Sequence, residues 1–365
     1  MRTLNPLAQP NAGLLKSWRS ARTLAAWALA ACAGLSVQAQ AQAPERVLNL
    51  YSARHYQTDE ALYENFTKAT GIRIQRVEAD DAGILARLKA EGNASPADVI
   101  LLVDAARLWR GEQDGLFQPV KSALLEQRVP AQFRGGETAM GAQWFGLSTR
   151  ARLLIYDKSR LKASDVDSYP KLADPALKGM LCVRSGSHPY NLSLFGSMLE
   201  HLGAPTTEAW LKGMVANMAR SPRGGDTDQI KGVASGECGV ALANSYYFAR
   251  LMRSTNADDK AVVDKVGVMF PNQSSWGTHV NVAGAAVARN AKNRDAAVQF
   301  LEYLASDSAQ RYFADGNNEY PVVPGAKPNA ALSSLGAFKA ETVPVAKVGA
   351  NTAQVQQMLD RVGFK

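Results

Sequence analysis

The chain lacks the motifs of several common functions. It contains no P-loop, so it does not hydrolyse ATP itself. Neither G-x-S-x-G nor H-E-x-x-H occurs, which argues against a secreted hydrolase and against an enzyme in general. Lysine and arginine outnumber the acidic residues by 41 to 33, but they form no stripe interleaved with aromatic residues. Nucleic acid is therefore not an expected partner.

Acidic residues are missing altogether from residues 1–43, which carry several bases. A short apolar run at 24–31 follows these bases, and small residues suited to cleavage lie at 37–41. This pattern predicts a secretory signal peptide over residues 1–43, with an apolar run too short to span a bilayer permanently. Residues 29–32 also resemble a bacterial lipobox, which would leave a lipid anchor on Cys32. Because few apolar residues precede Cys32, we favour plain export to the periplasm.

Cysteine is scarce, with three residues in the whole chain. Removal of the signal peptide leaves Cys182 and Cys238. An even pair in an exported protein indicates a disulfide, and two buried thiols are the alternative. A bridge would tie the predicted strand that contains Cys182 to the strand that begins just after Cys238.

Two series of alternating strands and helices predict an α/β fold. In the first series, apolar strands at 47–52, 72–77 and 97–103 alternate with helices at 59–70 and 83–91. Such a βαβ rhythm is typical of a parallel sheet with right-handed crossovers.

The second series begins at strands 144–148 and 153–156, which we expect to pair and to carry the chain into a second domain. The strand at 280–287 returns the chain to the first domain. We therefore predict two lobes after the signal peptide, a hinged clam-shell with a ligand cleft between them. The lobes are residues 44–145 with about 272–318, and residues 146–271 with about 319–365.

Tyrosine occurs in three loops that follow predicted strands. Tyr56, beside His55, follows the first strand, Tyr190 follows the strand of the second domain that contains a cysteine, and Tyr246 and Tyr247 follow the strand at 240–243. Taken singly, these residues are as expected for core packing, a sugar site or the protein surface. Together in one cleft they indicate a hard trivalent cation, because its charge stabilises phenolate oxygens.

Charge balance adds two residues to the candidate site. Four phenolates around a ferric ion leave a net charge of about −1, so nearby bases should stabilise the complex. Arg54 and Arg152 are the candidates for that supporting role.

The sequence resembles the periplasmic ferric-ion-binding proteins of bacterial ABC iron importers, within the transferrin-like solute-binding proteins. Three segments carry the resemblance: residues 51–59 (YSARHYQTD), residues 243–247 (ANSYY) and residues 318–322 (NEYPV). The spacing between Tyr190 and Tyr246 is also similar to the family's, and the similarity covers essentially the whole chain after the signal peptide.

The resemblance implies a two-domain periplasmic-binding-protein fold of type II, with crossing hinge strands and an interdomain cleft. It also implies Fe³⁺ as the transported ligand, delivered to an inner-membrane ABC permease and its ATPase subunit, and a monomeric protein. The implied metal ligands are His55, Tyr56, Tyr190, Tyr246 and Tyr247.

Some family members need a synergistic anion such as phosphate or carbonate, whereas others use several tyrosines instead. The His-Tyr pair and Tyr190 place this chain nearer the second group. The competing interpretation is a protein of the same fold that binds a small organic cation or an oxyanion through aromatic and arginine side chains.

Overall fold

The computed structural model describes residues 46–54 and 56–365. The predicted signal peptide, Cys32 and His55 lie outside the described residues. The strands of the described part are β1 (Val47–Ser52), β2 (Arg73–Glu78), β3 (Val99–Leu102), β4 (Phe117–Gln118), β5 (Arg134–Gly135), β6 (Trp144–Asp157), β7 (Leu181–Cys182), β8 (Val240–Asn244), β9 (Val266–Met269), β10 (Val280–Ala288) and β11 (Tyr320–Pro321).

Helices surround these strands, as the alternating pattern predicts. They are α1 (Asp59–Thr70), α2 (Asp81–Glu91), α3 (Ala105–Gln113), α4 (Ala123–Arg128), α5 (Pro189–Leu202), α6 (Ala204–Ala216), α7 (Asp226–Ala234), α8 (Ser245–Arg253), α9 (Ala257–Lys265), α10 (Arg294–Leu304), α11 (Asp307–Asn317), α12 (Ala330–Ser334) and α13 (Val345–Val362). None of the helices in the described ranges is both long and apolar enough to cross a membrane.

Seven of the strands are hydrogen-bonded side by side in the order β2-β1-β3-β10-β6-β8-β7. Strand β1 pairs in parallel with β2 and β3, and β7 pairs in parallel with β8, whereas β10 runs antiparallel to β3 and β6. The parallel pairs place the carboxyl ends of their strands at a common edge, where the following loops meet. The predicted α/β class and the parallel βαβ units are thus present.

Strand β6 is the element that joins the two parts of the sheet. Its residues 144–151 pair with β5, β10 and β11, and its residues 152–157 pair with β8 and β9. We call β1–β5, β10, β11 and residues 144–151 the first sheet, and β7–β9 with residues 152–157 the second sheet. Strand β10 begins near this junction, with its first residue, Val280, opposite Ala151.

The predicted pair of strands at 144–148 and 153–156 is wrong, because β6 is one continuous strand of 14 residues. The polar residues between the two predicted strands, Thr149, Arg150 and Arg152, are buried. Arg150 and Arg152 are at most 1% exposed because carboxylates from distant parts of the chain lie beside them. A buried, compensated charge can remain inside a strand.

Each sheet has its own apolar packing. On the first sheet the rings of Phe66 and Phe300 lie 4.9 Å apart, in the core between α1 and α10. On the second sheet Phe195 of α5 packs against Trp210 of α6 at 5.5 Å. Separate cores give the two sheets independent support.

Helix α13 contains Gly349 in its interior, although glycine disfavours that position. In the fold, a Cβ atom on Gly349 would lie 2.6 Å from the indole of Trp109, so the glycine permits close packing of α13 on α3.

Candidate metal centre

The predicted tyrosines lie where strands end and helices begin. Tyr56 follows β1 in the first sheet, and the neighbouring His55 is outside the described residues. Tyr190 is the second residue of α5, and Tyr246 and Tyr247 are the second and third residues of α8, directly after β8. Rigid helix starts therefore position the three tyrosines of the second sheet.

The structure brings these four tyrosines together. The hydroxyls of Tyr190 and Tyr246 lie 3.1 Å apart and share a hydrogen bond. The ring of Tyr247 is 4.1 Å from that of Tyr246, measured between centroids. Tyr56 approaches Tyr246 edge-on, with ring centroids 6.2 Å apart and planes at 85°. The cluster thus contains side chains from both sheets.

Burial makes three phenols of this cluster, Tyr56, Tyr190 and Tyr246, weaker acids than a free tyrosine. Burial raises the pKa of Tyr190 to about 12, although the Arg150 guanidinium works in the opposite direction. Burial and the neighbouring phenols raise the pKa of Tyr246 far above its ordinary value, and burial together with Glu319 raises the pKa of Tyr56. At neutral pH these phenols hold their protons until a strongly charged ligand displaces them.

Arg54, predicted to support the site, lies beside Tyr56. Its guanidinium carbon is 4.9 Å from the centre of the Tyr56 ring. Nε donates to Asp59 at 2.8 Å and Nη1 donates to Glu319 at 3.1 Å, with all three side chains buried. Arg54 therefore holds a charge next to the cluster in a fixed orientation.

Arg152, the other predicted supporting base, contacts residues that adjoin the tyrosines in sequence or support the backbone before them. Its Nη1 donates to Asp226 at 2.6 Å and to Asn244 at 3.2 Å, and its Nη2 donates to Asn191 at 2.7 Å. Asn191 adjoins Tyr190, and Asn244 closes the strand before Tyr246. Arg152 thus links the loops that carry the tyrosines.

Arg150, which no sequence pattern indicated, is fully buried among the phenols. Its charge acts on Tyr56, Tyr190 and Tyr246 and lowers the pKa of each, against the larger effect of burial. Nη2 donates to the carbonyl of Val103 at 2.6 Å, whereas Nε and Nη1 have no hydrogen-bond partner among the described residues. Because Arg150 lies in the middle of a strand, its position in the sequence did not indicate that it would lie beside the tyrosines.

Arg184 and His188 are two further neighbours of Tyr190. The guanidinium of Arg184 lies 5.1 Å from the Tyr190 ring centre. His188 packs its ring 4.5 Å from that of Tyr190 and accepts the Tyr190 backbone N–H at Nδ1, 3.2 Å away. Burial and the Arg184 charge lower the pKa of His188 to about 3, so its imidazole is neutral.

The Cys182–Cys238 disulfide is present, as predicted from the even cysteine pair. It joins β7 to the residue pair that leads into β8, with both cysteines buried. The bridge therefore restrains the two strands of the second sheet that precede the tyrosines.

Carboxylates, imidazoles and thiolates do not provide an obvious alternative centre. Within residues 46–54 and 56–365, no group of three or more His, Cys, Asp or Glu side chains could hold a metal ion. Phenol oxygens are hard donors when ionised, and they suit a hard, highly charged cation. The tyrosine cluster is therefore the candidate metal centre of the described chain.

Two sheets joined by the continuous strand β6, with candidate ligands at strand ends, agree with the type II fold of periplasmic binding proteins. This chain belongs to the bacterial extracellular solute-binding protein family, whose profile matches residues 61–340. The predicted fold class is confirmed by that match and by the solved structures below. Membership of a solute-binding family also agrees with the prediction of a binding protein and not an enzyme.

Relatives with curated names cover most of the chain. Iron uptake protein A1 of Synechocystis sp. is 46% identical over 88% of this chain and 88% of its own length. The major ferric iron-binding protein of Neisseria meningitidis serogroup B is 26% identical over 87% of this chain and 93% of its own.

Solved structures agree with these sequence relatives. A Trichodesmium protein (IdiA, FutA) in complex with iron and citrate ligands is 47% identical, with a TM-score of 0.82. It matches 87% of this chain and 100% of its own. The ferric binding protein of Campylobacter jejuni is 35% identical over 87% of this chain and 100% of its own, also with a TM-score of 0.82.

Proposed function

We propose that this chain binds ferric ion between its two sheets and delivers it to an ABC transporter for iron uptake. The observation that carries the proposal is the convergence of four phenols, one from the first sheet and three from the second. Phenols that resist ionisation become useful ligands only beside a strongly charged cation. The names of the relatives, which specify iron uptake and ferric iron binding, support the same ligand.

The proposed first coordination shell contains oxygen donors and one imidazole. Arg54, Arg150 and Arg152 supply compensating charge around it, because four phenolates outweigh the charge of Fe³⁺ by about one unit. The proposed metal ligands are His55, Tyr56, Tyr190, Tyr246 and Tyr247.

Iron binding is expected to couple to closure of the molecule. The proposed lobes are residues 44–145 with about 272–318, and residues 146–271 with about 319–365. Tyr56 belongs to the first and the other three tyrosines to the second, so only the closed form completes the shell. A ligand that binds one conformation better shifts the population toward it.

Membership of the extracellular solute-binding family implies partnership with an ABC transporter. For this chain we propose export to the periplasm by a signal peptide over residues 1–43, followed by release as a soluble monomer. The iron-loaded monomer then docks on an inner-membrane permease, and the ATPase subunit of that transporter drives uptake. Lipid attachment at Cys32 is the alternative to a soluble form.

A visible absorption spectrum of the mature protein with ferric citrate tests the proposal. Phenolate-to-iron charge transfer should give a broad band that colours the protein orange or red. Tyr246→Phe and Tyr190→Phe should shift or bleach the band. Tyr303→Phe is the matched control, since the Tyr303 hydroxyl donates to the Leu62 carbonyl away from the cluster. A protein that stays colourless at saturating iron would sink the phenolate site and favour an organic cation or oxyanion instead.

A further inference from the structure

Asp226 is a buried carboxylate that is not among the proposed metal ligands. It is the first residue of α7 and is 0% exposed. Its oxygens accept hydrogen bonds from Arg152 Nη1 at 2.6 Å, from Arg184 Nη1 at 3.1 Å and from the backbone N–H of Asn244 at 2.7 Å. One carboxylate therefore binds three separate segments of the second sheet.

The first of these connections leads to Tyr190. Arg152, held by Asp226, donates from Nη2 to the side-chain oxygen of Asn191 at 2.7 Å. The amide nitrogen of Asn191 in turn donates to the carbonyls of Arg184 and Ser185, at 3.1 and 3.0 Å. The residue beside Tyr190 is thus fixed from two sides.

The second connection runs through the Arg184 side chain. With Asp226 as its anchor, this guanidinium lies 5.1 Å from the centre of the Tyr190 ring. The charge of Arg184 also acts on Tyr247. A single ion pair therefore orients a cation that lies against Tyr190 and influences a second clustered phenol.

The third connection is to the backbone just before Tyr246. Asn244 is the last residue of β8, and its N–H bond to Asp226 fixes the strand end from which α8 starts. Its side-chain oxygen also accepts from Arg152 at 3.2 Å. The backbone entering the Tyr246–Tyr247 pair is held by the same network as Tyr190.

From these contacts, and resting on the proposed iron-binding function, we infer that Asp226 is the positioning residue of the iron site. It fixes the relative placement of Tyr190, Tyr246 and Tyr247 before the metal arrives. Two guanidiniums share this one buried carboxylate, so its removal leaves both without their counter-charge. The remaining Arg152 and Arg184 would then move apart and take the tyrosine loops with them.

The test replaces Asp226 with asparagine, which keeps the shape and removes the charge. Asp226→Asn should lower ferric affinity by about 10- to 100-fold, the usual cost of losing a partner behind the metal ligands. The charge-transfer band should also change position, because the phenolate geometry changes. A purely structural role would lower stability and leave the band of the folded fraction where it was.

A matched control comes from the first sheet. Asp98 is also 0% exposed and accepts from the backbone and side chain of Asn49 and of Asn293, at 2.8 to 3.0 Å. Asp98→Asn removes an equally buried carboxylate whose hydrogen-bond partners, Asn49 and Asn293, are not residues of the tyrosine cluster. It should leave the band and the ferric affinity at wild-type values.

A second variant decides the matter if Asp226→Asn does not fold. Arg184→Gln removes one partner of Asp226 at a less buried position, with 14% of its side chain exposed. On its own, Arg184→Gln should move the band and lower ferric affinity. Where Asp226→Asn does fold, both variants should shift the band in the same direction, and the double variant should cost less affinity than the two single losses together. Should either folded variant keep both the wild-type band and the wild-type affinity, the positioning role is overturned. A wild-type protein with no band would overturn the iron site itself, which is a different result.

Discussion

The two sheets contribute unequally to the tyrosine cluster. In the second sheet, Tyr190 and Tyr246 share a hydrogen bond of 3.1 Å, Tyr247 lies 4.1 Å from Tyr246, and all three begin helices. The first sheet contributes Tyr56 from a loop, and it meets Tyr246 only edge-on at 6.2 Å. The second sheet thus holds three phenols already in contact, and in the proposed mechanism the first sheet would add Tyr56 on closure.

The number of protons released on iron binding should show most strongly that the two sheets contribute different numbers of phenols. Burial raises the pKa values of Tyr56, Tyr190 and Tyr246, so each is protonated at neutral pH. The proposed binding of Fe³⁺ would release these protons to the solvent. Ferric affinity should therefore fall with acid, by roughly 1,000-fold per pH unit if these three phenols ionise. Calorimetry in buffers of different ionisation enthalpy counts the protons released per iron.

Variants assign those protons to the two sheets. Tyr56→Phe should remove one proton from the count, and a Tyr190→Phe, Tyr246→Phe double variant should remove two. Equal losses in the two experiments would contradict the division of donors proposed here.

The disulfide should stabilise the second sheet selectively. Cys182 and Cys238 are 56 residues apart in sequence, and a cross-link of that span stabilises by about 4 kcal/mol in the loop-entropy account. Cys182→Ala with Cys238→Ala should lower the free energy of unfolding by about that amount, and chemical denaturation should show the second sheet unfolding before the first. Reduced wild-type protein is the control. A single transition in which both sheets unfold together would argue against independent cores.

Glu319 is the first sheet's counterpart to Asp226. It is 0% exposed, accepts from Arg54 at 3.1 Å and from Ser148 at 2.7 Å, and lies 4.0 Å from Arg150. Glu319→Gln should lower the free energy of unfolding by about 3 kcal/mol, because it leaves buried guanidiniums without their counter-charge. Urea denaturation measures the change.

The control for Glu319 is an exposed ion pair. Glu208 binds Arg361 at 2.7 Å on the surface, where solvent screens the interaction. Glu208→Gln should leave the unfolding curve unchanged. If Glu319→Gln behaves the same way, the buried network does not depend on its carboxylate.

Local sequence patterns predicted several of the strands and helices that position the tyrosine cluster. Strand β1 has the predicted bounds, and α1 ends before Gly71, whose φ of 71° suits a helix stop. Tyrosines that follow parallel strands were expected to meet, because parallel strands end at one edge. The meeting of Tyr190 and Tyr246 agrees with that reasoning, whereas their role as metal ligands stays a prediction.

Long-range charge compensation could not be read from the sequence. Arg150 is surrounded by phenols from three loops and by Glu319, which lies 169 positions further along the chain. Asp226 gave no signal because its partners come from β6, from the segment after β7 and from the end of β8. Periodicity reports which face of an element is apolar, but it does not report which distant charge makes a polar residue fit inside.

Tyr56→Phe gives the smallest expected effect and the sharpest test of the three phenols that the second sheet holds in contact. Since three donors remain on the second sheet, we expect iron to bind with about tenfold lower affinity, corresponding to about 1.4 kcal/mol. The absorption band should persist at reduced intensity, whereas Tyr246→Phe should cost more than the 10- to 100-fold typical of outer partners. Small-angle scattering should show that iron compacts the wild type more than it compacts the Tyr56→Phe variant. The variant lacks the phenol that the first sheet contributes. Loss of all colour in Tyr56→Phe would mean that both sheets are needed for capture itself, and not only for closure.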